Sequence, residues 1–73
     1  MAKIDRIIGT MEKGKQICIT VYYLSGRIVK YFNPFTIPEP VKHFIHNAYI
    51  YTLESGERLY KAEHDWNGGN SNA

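Results

Sequence analysis

The sequence predicts a mainly β domain with one short helix, a small five-stranded barrel of OB-like or Sm/SH3-like kind in the order β-β-β-α-β-β. Three observations predict it. Runs of β-branched and aromatic residues alternate with polar ones at the period of a strand. A polar-glycine turn spelling recurs three times, and a proline-flanked apolar stripe at helical spacing separates the third run from the fourth.

The clearest element is a hairpin. In Gln16-Ile17-Cys18-Ile19-Thr20-Val21-Tyr22-Tyr23, the residues Ile17, Ile19, Val21 and Tyr23 alternate with Gln16, Cys18, Thr20 and Tyr22, and Arg27-Ile28-Val29-Lys30-Tyr31-Phe32 is a second run of the same type. Leu24-Ser25-Gly26 joins them. The loop length decides which residues share a face. A two-residue Ser25-Gly26 turn would set Lys30 beside Val21, on the face of Ile19. A three-residue loop with Gly26 left-handed would set Val29 and Tyr31 there instead and move Lys30 out beside Thr20 and Tyr22. Two-residue turns favour Asn-Gly or Asp-Gly, and an unpaired buried lysine is costly, so the three-residue loop is expected.

Glu12-Lys13-Gly14-Lys15 repeats the turn spelling and would join an opening strand over residues 4–11 to the central one, making a three-stranded meander. Gly9 weakens that opening strand and is read as a bulge or bend. After Phe32, Asn33-Pro34-Phe35 and Pro38-Glu39-Pro40 stop the strand pattern, because proline cannot donate to a ladder. Pro40 suits the first turn of a helix that carries Val41, Phe44, Ile45 and Ala48 on one side and Lys42, His43, His46 and Asn47 on the other.

Two endings are open for that helix. It stops near Asn47, and Tyr49-Ile50-Tyr51-Thr52 forms a strand paired through Glu54-Ser55-Gly56 to residues 57–61. Alternatively it runs over residues 40–55, capped by Gly56, and the fold becomes α+β, a three- to four-stranded antiparallel meander packed on one longer helix. The four consecutive strand formers and the third turn spelling favour the first.

At 73 residues the chain is read as one domain over residues 1–66, with Trp66 docked on its body and a disordered polar tail over 67–73. Cys18 is the single cysteine, so no intrachain disulfide is available to a core that is thin at this length. No run of about 18 apolar residues offers a membrane span, and Met1-Ala2-Lys3-Ile4-Asp5-Arg6 lacks a long apolar stretch. A cytoplasmic protein without membrane contact is expected.

The residues that carry chemistry elsewhere are sparse here. His43-x-x-His46 shares a helix face and is a weak metal pair, because zinc needs a third protein ligand and Cys18, Glu63, His64 and Asp65 offer no recognised spacing. Solvated histidines are the plainer reading. Cys18 lies mid-strand with no base or helix N-terminus beside it, as a small apolar filler does. With no GxSxG, P-loop or telling carboxylate pair, the chain is expected to be non-enzymatic and without a cofactor.

Aromatic residues make up 14% of the chain, six of them tyrosines, against a formal net charge of +2. That charge alone does not mark a nucleic-acid binder. Exposed tyrosines among basic residues do suit single-stranded nucleic acid, since bases stack on rings while Lys and Arg meet phosphates. Tyr22, Lys30 and Arg27, with Lys15, Tyr31 and Tyr51 as extensions, are the candidate contacts. The plainer reading buries the rings and wets the hydroxyls. A second function class is a protein-binding regulator or inhibitor, of the compact kind that viruses and mobile elements encode, acting through a strand edge or the helix face around His43, Phe44 and His46. A homodimer or higher homo-oligomer that covers open edges is compatible with either.

Overall fold

The computed structural model describes residues 3–62. The expected places of Trp66, of the tail over 67–73 and of Glu63, His64 and Asp65 lie outside the described residues. Five strands and one helix follow in order: β1 (Ile4–Glu12), β2 (Lys15–Tyr23), β3 (Ile28–Tyr31), a 3-10 turn at Pro34–Thr36, α1 (Glu39–Asn47), β4 (Tyr49–Thr52) and β5 (Arg58–Lys61). All neighbours in the sheet are antiparallel, in the order β3-β2-β1-β5-β4.

Turn chemistry sets the register. At the β2–β3 loop, Tyr23 N–H donates to the Arg27 carbonyl at 2.9 Å and Gly26 N–H to the Tyr23 carbonyl at 2.9 Å. This three-residue loop closes on Gly26 at φ 99°. It pairs Val21 with Val29, Thr20 with Lys30 and Ile19 with Tyr31, the register the sequence favours. The β4–β5 loop repeats it: Leu53 N–H donates to the Glu57 carbonyl and Gly56 N–H to the Leu53 carbonyl, each at 2.8 Å. Ser25 and Ser55 occupy equivalent places, each hydroxyl oxygen accepting the N–H two residues on at 3.4 Å. The β1–β2 turn differs despite its similar spelling. Glu12 pairs with Lys15, and Lys13 and Gly14 both take positive φ, 54° and 79°, as a two-residue type I′ turn requires.

The pairings line residues up in rows across all five strands. On one face Val29, Val21, Ile7, Tyr60 and Ile50 are consecutive neighbours. α1 lies over this face, and its Val41 joins Ile7, Ile19, Val21 and Tyr60 in the core, with Ile37, Phe44, Ile45 and Ala48 packed around them. Burying side chains of this kind is worth about 1.5–3 kcal/mol each.

Gly9 belongs to the next row on the same face, between Ile19 and Arg58. A Cβ there would fall 2.0 Å from Gln16 Oε1 and 3.3 Å from Tyr60 Cε1. The gap is filled by the Gln16 amide, which accepts the Tyr60 hydroxyl hydrogen at 2.9 Å. The glycine therefore marks a close approach of side chains rather than a bend. The register between β1 and β2 does shift next to it, between Thr10 and Met11, and again between Ile4 and Arg6.

α1 ends where β4 begins. Ala48 is extended and its N–H reaches the Ile45 carbonyl at 3.2 Å, while the Asn47 amide donates to the His43 carbonyl at 2.9 Å. Tyr49 to Thr52 then pair with Lys61 to Arg58, so the longer helix over 40–55 does not form. The stripe of Tyr49, Thr52 and Leu53 fits a helix, but the strand gains a ladder on β5.

The barrel expected from the element order is not closed. β3 and β4 are the two edges of an open sheet. Each is four residues long, and the segment between them carries α1 across the face from one edge to the other. At about 4.8 Å per strand that crossing is ~19 Å, which separates the edges that a barrel would have to join. Among the described residues, no helix is long and apolar enough to cross a membrane.

Candidate binding face

The face opposite α1 carries two further rows. Ile28, Tyr22 and Arg6 are neighbours across β3, β2 and β1, and Tyr49 pairs with Lys61 across β4 and β5. The pairing of Ile7 with Tyr60 carries the same row on from Arg6 to Lys61. The second row is Lys30, Thr20, Ile8, Leu59 and Tyr51. Its middle is closed, with Thr20 5% and Leu59 3% exposed, while Lys30 at its β3 end is open.

The first row holds the larger cluster of charges. The Arg6 guanidinium stacks over the Tyr22 ring, 4.0 Å from its centroid, a contact worth about 0.5–1 kcal/mol at an exposed site. Arg6 Nη1 lies 2.7 Å from Asp5 Oδ2, and Lys61 Nζ lies 4.0 Å from Asp5 Oδ1. Asp5 falls at the register shift between Ile4 and Arg6, which brings its carboxylate between the two cations. The order across the sheet is thus aromatic, cation, cation, aromatic, with Tyr22 and Tyr49 about 14 Å apart at ~4.8 Å per strand.

Of the sequence-predicted contacts, Tyr22, Lys30 and Tyr51 share this face. Tyr31 does not: it pairs with Ile19 and packs against the core under α1. Arg27 follows the β2–β3 loop, and Lys15 starts β2 at the end of the strand remote from Tyr22. Arg6, Lys61 and Tyr49 are additions that only the pairing of β1 with β5 brings together. Local alternation does not reveal Arg6, because Ile4 and Ile7 flank it at a spacing of three.

Two further features lie on the described surface. His43 and His46 lie exposed on α1, beside Glu39 and Lys42 at an open hollow, with His43 Nε2 3.3 Å from the Asn47 amide. Among the described residues no group of three His, Cys, Asp or Glu side chains is placed to hold a metal ion. Phe44 of that helix turns into the core, so the helix face around it offers histidines without the phenylalanine. At the β3 edge, Phe32 and Phe35 are 70% and 90% exposed. Phe32 lines a shallow cleft of about 80 Å³ together with Gln16, Ile17, Cys18, Tyr31 and Ile37 among others. The Asn33 side chain accepts the Phe35 N–H at 2.9 Å and holds this turn.

Comparison with protein-family models, with curated proteins and with solved structures finds no match to this chain.

Proposed function

We propose that this chain is a non-enzymatic binding module that takes single-stranded nucleic acid on the sheet face opposite α1. The observation that carries the reading is the cross-strand row in which Arg6 and Lys61 lie between Tyr22 and Tyr49, with Lys30 on the neighbouring row. Bases stack on aromatic side chains and phosphates seek guanidinium and ammonium groups. An antiparallel sheet backed by helix on one side and presenting aromatics on the other is also how one class of RNA-binding module is built. That is an analogy of architecture, and it neither needs nor implies a closed OB-like or Sm-like barrel. A cytoplasmic location belongs to the same proposal.

Fluorescence anisotropy with labelled oligo(dT) and oligo(rU) tests it. Tyr22→Ala should weaken binding by about 1–3 kcal/mol, the usual value of one stacked base, while Tyr22→Phe keeps most of the affinity. Equal affinities for all three proteins would remove Tyr22 from the interface.

A second reading, a protein-binding regulator, is favoured by exposed Phe32 in the cleft at the β3 edge and by exposed Phe35 in the turn that follows it. Large exposed aromatics next to an edge strand suit β-augmentation. A Phe32→Ser, Phe35→Ser double variant that loses a stoichiometric protein partner, yet binds oligonucleotide unchanged, would select this reading. Homodimerisation through β3 or β4 is part of either proposal, and a monomer in sedimentation at high micromolar concentration would remove it.

A further inference from the structure

Arg6 and Lys61 are the two cations of the aromatic row, and both face one carboxylate. Asp5 Oδ2 is 2.7 Å from Arg6 Nη1 and Asp5 Oδ1 is 4.0 Å from Lys61 Nζ. In a regular strand pairing Asp5 would stand opposite a β2 residue. Here Ile4 pairs with Tyr23 and Arg6 with Tyr22, so Asp5 has no opposite number, and its carboxylate lies beside Arg6 on its own strand and Lys61 on β5. All three side chains keep partial solvent access, 40% for Arg6, 33% for Asp5 and 18% for Lys61. The carboxylate can therefore be exchanged for another anion at the surface without opening the core.

From this, and resting on the nucleic-acid reading above, we infer that Arg6 and Lys61 are the phosphate-contacting pair of the face and that Asp5 is a built-in competitor that limits their affinity. Arg6 keeps its stack on Tyr22 while its N–H groups pass from carboxylate to phosphate, because a guanidinium has five donors and can serve ring and anion together. The alternative role for Asp5 is purely structural, a surface ion pair of small value. The two roles predict opposite effects of removing its charge.

Asp5→Asn keeps the shape and removes the charge. Affinity for oligo(dT) or oligo(rU) at about 50 mM salt should rise about three- to five-fold, the worth of one exposed ion pair. The salt dependence should steepen by about 0.7 in the log–log slope for each further phosphate engaged. Arg6→Ala should then cost more in the Asp5→Asn background than in the wild type. Glu12→Gln, at the far end of β1, changes the net charge by the same unit and should leave affinity nearly unchanged. Melting curves establish that each variant is folded, and Asp5→Ala replaces the asparagine variant if that one melts early.

An affinity that stays level or falls in folded Asp5 variants, while the wild type binds, overturns the inference and leaves the nucleic-acid reading standing. An equal rise in Glu12→Gln also overturns it, by making the effect one of overall charge. Absence of binding in the wild type and the variants alike overturns the nucleic-acid reading itself, and this inference with it.

Discussion

Gly9 and Gln16 show how one residue's meaning depends on another strand. Gly9 leaves a gap on the core face, and the Gln16 amide fills it while receiving the Tyr60 hydroxyl at 2.9 Å. Gly9→Ala pushes the amide out and should cost about 1 kcal/mol, the net value of one hydrogen bond. Gln16→Ala should cost a similar amount. The double variant should cost less than the sum, because the added methyl then enters space already vacated. Additive losses in urea denaturation would show that the two residues act separately. In sequence Gly9 reads as a weak point in a strand. Its actual neighbour is identified only once β1 and β2 are paired, and the register shift beside Thr10 hides even that. Lys13 sits in a turn spelled much like the two Ser-Gly loops, and its backbone alone sets it apart. It holds φ 54° ahead of Gly14, a conformation that asparagine adopts at less cost. Lys13→Asn should stabilise the protein by about 0.5 kcal/mol, seen as a higher urea midpoint at unchanged slope, and a lower midpoint would contradict the type I′ assignment.

Among the elements, the hairpins are where sequence and structure agree most closely. A lysine that resists burial and a Ser-Gly that suits a three-residue loop together decide the register of β2 on β3. That register puts Tyr22 and Lys30 on the face opposite α1, so part of the candidate site is legible from local pattern alone. The helix was legible at its start and ambiguous at its end, because residues 49–53 satisfy both periods. Pairing with β5 resolves it, and that pairing depends on the same Ser-Gly loop chemistry at residues 54–56. α1 itself is held by few side chains, with Val41 its one buried residue. Val41→Ala should therefore destabilise the protein by about 2 kcal/mol, a large part of what so small a domain has to spare. A change in melting temperature of less than about 2 °C would mean that the helix is anchored mainly by Phe44 and Ile45.

For the whole molecule, the element order was legible and the closure was not. Strand count and sequence order do not say whether β3 meets β4, since that depends on where the segment over residues 32–48 crosses. It crosses the full width of the sheet, and β3 and β4 are not paired with each other. Arg6, Lys61 and Tyr49 were missed for the same reason: they join the site through the contact of Ile7 with Tyr60, 53 positions apart, which no local pattern encodes. The sheet's two faces then divide the labour. One buries Ile7, Ile19, Val21 and Tyr60 under α1, and the other gathers Tyr22, Arg6, Lys61, Tyr49 and Lys30.

If this second face takes nucleic acid, wild-type binding to oligo(dT) and oligo(rU) falls steeply with salt between about 50 and 500 mM. Three phosphate contacts, from Arg6, Lys30 and Lys61, predict a slope of about −2 in log affinity against log salt, and Arg6→Ala should reduce it by about one contact's worth. No measurable binding at the lowest salt, or an affinity that barely changes across the range, would mean that this face does not hold nucleic acid.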